Sequence, residues 1–257
     1  MDIKRNLTKL NIMRSFKTYL AVLAFLIASS QLEASSALIT VVNSKKIAVD
    51  ETRNVSGFTG ITSAGSYNVI ITMGNTESLR LEGNAEQLAE IETVVEDGIL
   101  KIRDKKRTGS WRNNLNGKVN VYIGAKSLKS ITLSGSGDID VKGVVKSPEV
   151  STTLSGSGNI SLAVDATTYS VTISGSGGIK ASGNADNAKI NVSGSGNFKG
   201  DGLRTNATNA RVSGSGNITV NADKTLDASM SGSGNIRYSG SASVKSSKSG
   251  SGRISKL

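Results

Sequence analysis

The tetrapeptide Ser-Gly-Ser-Gly recurs seven times in the second half of the chain. The copies begin at Ser134, Ser155, Ser174, Ser193, Ser213, Ser231 and Ser249, so that successive copies are 21, 19, 19, 20, 18 and 18 residues apart. A period near 20 residues is typical of a solenoid, in which one unit of a few short elements recurs and stacks on its neighbours. The repeat therefore says more about the fold of the chain than about its biochemical function.

Apolar and polar residues alternate on both sides of each tetrapeptide. Examples are Ile131-Thr132-Leu133 before a copy and Ile218-Thr219-Val220 after one. Alternation with a period of two predicts strands that bury one face. About 20 residues are too few for two helices with their loops, and the repeats show no apolar stripe of helical spacing. The sequence predicts an all-β fold, a β-solenoid with coils of about 18–21 residues.

We interpret the tetrapeptide as the corner of each coil. Glycine reaches positive φ at little cost and leaves room where a side chain would collide with the next coil. Serine can form hydrogen bonds to nearby backbone groups in a turn. The predicted structural corners are Gly135, Gly137, Gly156, Gly158, Gly175, Gly177, Gly194, Gly196, Gly214, Gly216, Gly232, Gly234, Gly250 and Gly252.

Two further columns follow from the repeat. Asn occupies the position after four of the seven copies, and stacked Asn side chains can form a ladder between coils. The next position is always apolar, which predicts a single core column made of Ile139, Ile160, Ile179, Phe198, Ile218, Ile236 and Ile254. Because aromatic residues are only 4% of the chain, we expect a narrow core that buries no large rings.

The N-terminal segment has the layout of a secretory signal peptide. Five basic residues precede residue 18, an apolar stretch covers 18–30, and Leu32-Glu33-Ala34 can precede a cleavage point. We assign 1–34 as signal peptide and 35–49 as linker. The apolar stretch is short for a membrane span, so an uncleaved anchor is the less favoured alternative and no stable span is expected after signal removal. Without cysteine the chain forms no disulfide.

Residues 50–257 are predicted to form one β-helix domain, with irregular coils over 50–130 and regular repeats over 131–257. Ser63-Ala64-Gly65-Ser66-Tyr67-Asn68 resembles a degenerate corner. Asn84 can cap a short helix, and Asp97-Gly98 predicts a hairpin turn between strands at 91–95 and 99–102, with a further strand at 119–123. A terminal unit that differs from the repeats is expected, because an open end exposes unpaired strand edges.

One basic run stands out in a chain of formal net charge +11. It suggests two interpretations, a solvated hairpin tip or a patch for an anionic partner or glycan, and the single tryptophan of the chain could stack on a sugar there. The candidate patch comprises Lys101, Arg103, Lys105, Lys106, Arg107, Trp111 and Arg112.

The composition argues against an enzyme. The chain has no histidine, which excludes Ser-His-Asp and Cys-His machinery and most zinc sites. Only one corner, with Asp138 and Asp140, offers two carboxylates for calcium. The outward carboxylates fall in different phases of the repeat, unlike the paired carboxylates of glycosidases; they are Asp140, Glu149, Asp165, Asp186, Asp201 and Asp227. We expect no cofactor, no metal and no nucleic acid.

An export signal, the opening Phe58 to Ile61, the segment Glu92 to Ile102 and the repeated corners together resemble the head GIN domain family, over roughly residues 50–257. Members are described as auto-transporter adhesins. The resemblance implies a right-handed parallel β-helix in an exported protein, commonly from Bacteroidetes, and it implies no catalytic residues.

The sequence thus favours a non-catalytic exported protein of the periplasm, the outer surface or the medium. We expect it to bind a cell-surface glycan or an envelope protein. Two alternatives stay open: a polysaccharide lyase or glycosidase, and a purely structural envelope module. The last coil presents an open edge near Ile254, which predicts either a homo-oligomer or protection of that edge by Arg253 and Lys256.

Overall fold

Strands make up most of the described chain, which covers residues 49–105 and 118–257 in this computed structural model. A single short helix, α1 (Ala85–Ala89), accompanies them in the described residues. The strands are β1 (Val49–Arg53), β2 (Gly60–Gly65), β3 (Asn68–Met73), β4 (Ser78–Gly83), β5 (Ile91–Glu96), β6 (Ile99–Asp104), β7 (Asn120–Ala125), β8 (Ser130–Gly135), β9 (Asp138–Lys146), β10 (Glu149–Gly156), β11 (Asn159–Gly175), β12 (Gly178–Gly194), β13 (Asn197–Gly214), β14 (Asn217–Gly232), β15 (Asn235–Ser239), β16 (Ser243–Ser249) and β17 (Arg253–Lys256). The predicted signal peptide and linker lie outside the described residues, apart from Val49.

The strands from β8 onward stack in parallel, each pairing with the strand one coil away. All seven tetrapeptides come into register: Ser134 pairs with Ser155, Ser155 with Ser174, and the series continues to Ser249. The predicted β-solenoid is confirmed.

The apolar column after the corner is also confirmed. Ile139 pairs with Ile160, Ile160 with Ile179, Ile179 with Phe198, and so on to Ile254. The first six members are at most 1% exposed. The column extends two coils further than expected, because Val69 pairs with Ile139 on one side and with Val121 on the other.

The corner glycines are required for two different reasons. Gly156 has φ of +133°, a conformation that other residues rarely adopt. Gly158 has no positive φ, but a Cβ atom on it would lie 2.0 Å from the carbonyl oxygen of Gly137 in the neighbouring coil. The ladder of backbone hydrogen bonds can therefore continue through the corner, where the Ser157 amide donates to the Gly135 carbonyl at 3.0 Å.

The expected asparagine ladder is present but interrupted. Asn235 Nδ2 donates to Asn217 Oδ1 at 2.8 Å, and Asn217 Nδ2 donates to Asn197 Oδ1 at 2.9 Å. A separate step joins Asn159 to Asp138 at 2.9 Å. Gly178 lies between the two series and has no side chain to link them.

The expectation that the core buries no large rings is wrong. Tyr169, Phe58 and Phe198 are each at most 1% exposed. The repeat makes room for them with small neighbours: Tyr169 stacks against Val150 and Ala188. Beside Phe198, a Cβ atom on Gly200 would lie 2.5 Å from the ring.

The order of the first coils in the stack differs from their order in the chain. Strand β2 pairs in parallel with β8 on one side and with β6 on the other, and β3 lies likewise between β9 and β7. The coil built from β6 and β7 therefore stacks outside the coil built from β2 and β3. The degenerate corner predicted at 63–68 lies in the corner column, with Gly65 opposite Gly135 and Asn68 opposite Asp138.

Antiparallel strands close this end of the stack. Strand β5 covers β6, β4 covers β7, and β1 covers β4. The predicted helix is confirmed, since the Asn84 side chain accepts from the Glu86 amide at 2.9 Å, and Asp97 and Gly98 both have positive φ in the predicted hairpin turn. Arg53 ties the cap together by donating to the carbonyls of Leu88 and Ile91, each at 2.8 Å.

The opposite end is uncovered in the described residues. Every residue of β16 is exposed, including Val244, Ser246 and Lys248, which occupy the core-facing positions opposite Leu226, Ala228 and Met230. At β16 the core-facing positions thus change from uniformly apolar to one apolar, one polar and one charged residue.

Candidate functional site

The basic run begins inside strand β6 and not in a loop. Lys101 Nζ lies 2.6 Å from a carboxylate oxygen of Glu96, and Arg103 Nε lies 2.7 Å from one of Glu92. Both acidic residues belong to β5. Hydrogen bonding to Lys101 lowers the pKa of Glu96, and hydrogen bonding to Glu92 raises the pKa of Arg103. These two cations are paired within the cap.

The third described cation, Lys105, is also engaged, since its Nζ donates to the Ala89 carbonyl at 2.6 Å. The remaining members of the candidate patch lie outside the described residues: Lys106, Arg107, Trp111 and Arg112. In the flanking strands, Arg103 pairs one coil away with Ala64, and Asn120 pairs with Asn68.

A buried tyrosine contacts the end of strand β6. Tyr67 follows Gly65 and Ser66 in the degenerate corner, where the neighbouring coil has Gly137. Its hydroxyl donates to the carboxylate of Asp104, the last residue of β6, and the side chain is only 6% exposed. Burial, followed by the contact with Asp104, raises the pKa of Tyr67. The neutral phenol thus ties the degenerate corner of one coil to the end of β6 in the next.

The corner column presents a repeating polar edge. In the seven copies, the serines of each tetrapeptide lie at the surface, and neighbouring strands place equivalent serines about 4.8 Å apart. None of the side-chain hydrogen bonds found among the described residues involves a corner serine hydroxyl. The expectation that these hydroxyls bond to neighbouring backbone groups is therefore not met, because the backbone amides already pair between coils.

The candidate carboxylates have partners of their own in the described chain. Asp138 accepts from Asn159, and Asp140 pairs with Lys142. Asp165 and Asp186 line an open groove of about 560 Å³ at the opposite corner, together with Asp223. Each has a polar or basic neighbour, and no three acidic side chains of the described residues come together as metal ligands.

The family of the chain follows from its sequence match. The family model described as "Putative auto-transporter adhesin, head GIN domain" matches residues 57–242, which is most of the described solenoid. The chain belongs to the head GIN domain family. The match includes the cap apart from β1, the first coils and six of the seven Ser-Gly-Ser-Gly corners.

Solved structures show the same fold in other proteins. A "putative adhesin" from Bacteroides fragilis is 27% identical, with a TM-score of 0.75 and coverage of 82% of this chain and 98% of that one. A "putative lipid binding protein" from Parabacteroides distasonis is 25% identical, with a TM-score of 0.68 and coverage of 83% and 98%. A "putative adhesin" from Parabacteroides merdae, 18% identical with a TM-score of 0.66 and coverage of 83% and 97%, shares the fold.

Among curated proteins, none matches this head GIN chain. In the described ranges, no helix has the length and apolar character needed to cross a membrane. The family and its relatives thus indicate an adhesin-like surface protein, and they assign no residue to a ligand.

The sequence located the basic run, but it did not predict that Lys101 and Arg103 form ion pairs or that Lys105 donates a hydrogen bond to a backbone carbonyl. Glu92 and Glu96 are neighbours of Arg103 and Lys101 only because the Asp97-Gly98 turn folds β5 back on β6. The predicted hairpin could have revealed this pairing. Antiparallel strands joined by a two-residue turn place Glu92 opposite Arg103.

Proposed function

We propose that the protein is an exported, non-catalytic adhesin that binds a glycan on a partner surface. The observation that carries the proposal is the repeating polar edge of the corner column, where equivalent serine hydroxyls recur in every coil from Ser134 to Ser249. A polymer of repeating units can contact such an edge at many equivalent points, and many weak contacts on one rigid scaffold add to a strong attachment.

Two observations support a binding role over catalysis. The chain has no histidine. Asp140 lies apart from Asp165, Asp186 and Asp223, which line one groove, and each of these four carboxylates is paired with a basic or amide group. A polysaccharide-active enzyme would need two carboxylates that face one glycosidic bond. Membership of a family described as adhesins points in the same direction.

Export is supported by the N-terminal residues 1–34, which have the basic and apolar regions of a signal peptide. Strands with exposed hydroxyls and a core without cysteine are compatible with the periplasm, the cell surface or the medium.

The segment between Lys105 and Lys118 is a second place for glycan contact. Lys106, Arg107 and Arg112 provide cations, and Trp111 provides an aromatic ring that can stack on a sugar. In this proposal, Lys101 and Arg103 contribute little, because both are paired with glutamates of β5.

A glycan array probed with the purified protein tests the function, followed by an assay for products from each bound glycan. The proposal expects binding without turnover. Cleavage of a glycan that is abolished by a single carboxylate substitution would replace it with the enzymatic alternative. An array with no bound glycan, together with no partner retained from envelope extracts, would favour the structural module.

A further inference from the structure

An open groove of about 710 Å³ runs along the side of the last coils. It crosses β12, β13, β14 and β16 near the start of the strand half that precedes each corner. This volume falls within the range of small-molecule and oligosaccharide sites. The sequence repeat gives no sign of this groove, because its lining residues are not part of the Ser-Gly-Ser-Gly motif.

One column of side chains runs along the groove. Lys189 pairs with Asn209, Asn209 with Asp227, and Asp227 with Lys245, so these four residues follow one another across neighbouring coils. Neighbouring strands are about 4.8 Å apart, which gives the column a length of roughly 14 Å. An extended ligand that lies parallel to the solenoid axis would meet each of these groups in turn.

The groove is positively charged. Lys189, Arg211 and Lys245 line it together with a single acidic residue, Asp227. All four side chains are exposed, and none takes part in the ion pairs found among the described residues. Unpaired cations in a concave surface attract anionic ligands.

The surface between these charged groups is mainly apolar. Ala188 and Leu226 are 4% and 1% exposed, and Val244, at 36%, is the most accessible of the three. The C–H face of a sugar ring can stack on such a surface. The three cations are spread along the groove, which matches charges that repeat along an oligosaccharide better than the single charged headgroup of a lipid.

We infer that this groove binds an acidic oligosaccharide, with carboxylates directed to Lys189, Arg211 and Lys245. The inference rests on the proposed function and gives it a ligand class and a place.

Calorimetric titration of the purified protein with hexagalacturonate tests the inference, and the methyl ester of the same hexasaccharide provides an uncharged ligand of equal length. The acidic form is expected to bind at least about tenfold more tightly than the ester, a difference of about 1.4 kcal/mol. Equal binding of the two forms would overturn the inference.

A pair of triple variants locates the binding site. Lys189→Ala, Arg211→Ala and Lys245→Ala together should reduce affinity by at least about tenfold. The matched control is Lys180→Ala, Lys199→Ala and Arg237→Ala, which removes as many exposed cations from the same coils on the other side of the corner and should change affinity by less than about threefold. An equal loss in both variants would show attraction by net charge alone and would overturn the inference.

A gain of affinity gives an independent test. Asp227→Asn removes the one acidic side chain of the groove without changing its size, so it should tighten binding of hexagalacturonate several-fold. Unchanged or weaker binding contradicts the assignment. Binding to phosphatidylglycerol vesicles without binding to the oligosaccharide would assign the groove to a lipid headgroup and would also overturn the inference.

The result separates this inference from the proposed function. If the groove variant still binds glycans on the array while the wild type does not bind hexagalacturonate, only the inference fails. If the wild type binds no glycan at all, the proposed function fails as well.

Discussion

Lys248 lies directly opposite Met230 in the parallel pairing of β16 with β14. Met230 is 2% exposed and belongs to the core, whereas Lys248 is exposed at the same core-facing position one coil later. An inward-pointing charge on an edge strand opposes the addition of another strand or another copy. This arrangement supports protection of the edge by charge, to which Arg253 and Lys256 also contribute, over the homo-oligomer considered from the sequence.

Replacing this charge should promote self-association. We predict that Lys248→Leu produces dimers or larger species at concentrations where the wild type is monomeric, because the edge then presents a continuous apolar column. Light scattering over a concentration series measures the effect. Ser247→Leu adds the same side chain to the outward face of the same strand, so association by both variants alike would contradict the role of the core-facing position.

The second corner glycine should tolerate no side chain. Gly158→Ala places a methyl group 2.0 Å from the Gly137 carbonyl oxygen, and we predict a loss of stability of about 2–3 kcal/mol as the coils move apart. Chemical denaturation followed by circular dichroism measures this. Gly74→Ala is the matched control, since nothing lies within 4 Å of its Cβ position, and a similar loss there would refute the steric explanation.

A serine in the core should be replaceable with a gain in stability. Ser63 is 0% exposed, its hydroxyl has no partner among the described residues, and it lies opposite Leu133 and Ile102. We predict that Ser63→Ala stabilises the fold by about 1 kcal/mol, because a buried hydroxyl without a hydrogen bond is costly. Thermal denaturation tests this, with the exposed Ser155→Ala as the control that should change nothing. A destabilised Ser63→Ala protein would show that the hydroxyl has a partner.

The buried phenol of Tyr169 should make the protein sensitive to alkali. Its hydroxyl donates to Thr152 Oγ1 at 3.2 Å, and burial raises its pKa above the ordinary value of 10.0. A raised pKa in the folded state means that the stabilising contribution is complete below pH 10 and is lost as the pH rises further.

We therefore expect Tyr169→Phe to cost about 1 kcal/mol at neutral pH, through the lost hydrogen bond, and to show a shallower decline of stability above pH 10. Denaturation midpoints measured from neutral to alkaline pH provide the comparison. Parallel declines in the two proteins would show that another group, such as Tyr67, dominates the alkaline response.

The repeat made the fold predictable because parallel stacking requires the same residue types at the same positions. Ile160 and Ile179 were assigned to one column from spacing alone, and they pair directly. The cap was less predictable. Which strand covers β6 depends on the turn at Asp97 and on long-range pairing, and the position of β6 and β7 outside β2 and β3 leaves no periodic signal in the sequence.

The two candidate sites also differ in how far the sequence predicts them. The basic run was visible as a local cluster of charge, but its neutralisation by Glu92 and Glu96 required the hairpin geometry. The groove of the last coils was not visible, because Lys189, Asn209 and Lys245 are 20 and 36 residues apart and come together only through the register of successive coils.

The coil formed by β6 and β7 closes one end of the solenoid, but it does not determine how many regular coils follow. Every regular coil offers its neighbours the same corner and the same core columns, so the loss or duplication of one unit between Ser134 and Ser249 would bring equivalent surfaces together again. The number of repeats can therefore vary between relatives by recombination, and the reach of the molecule can change while its closed end stays the same.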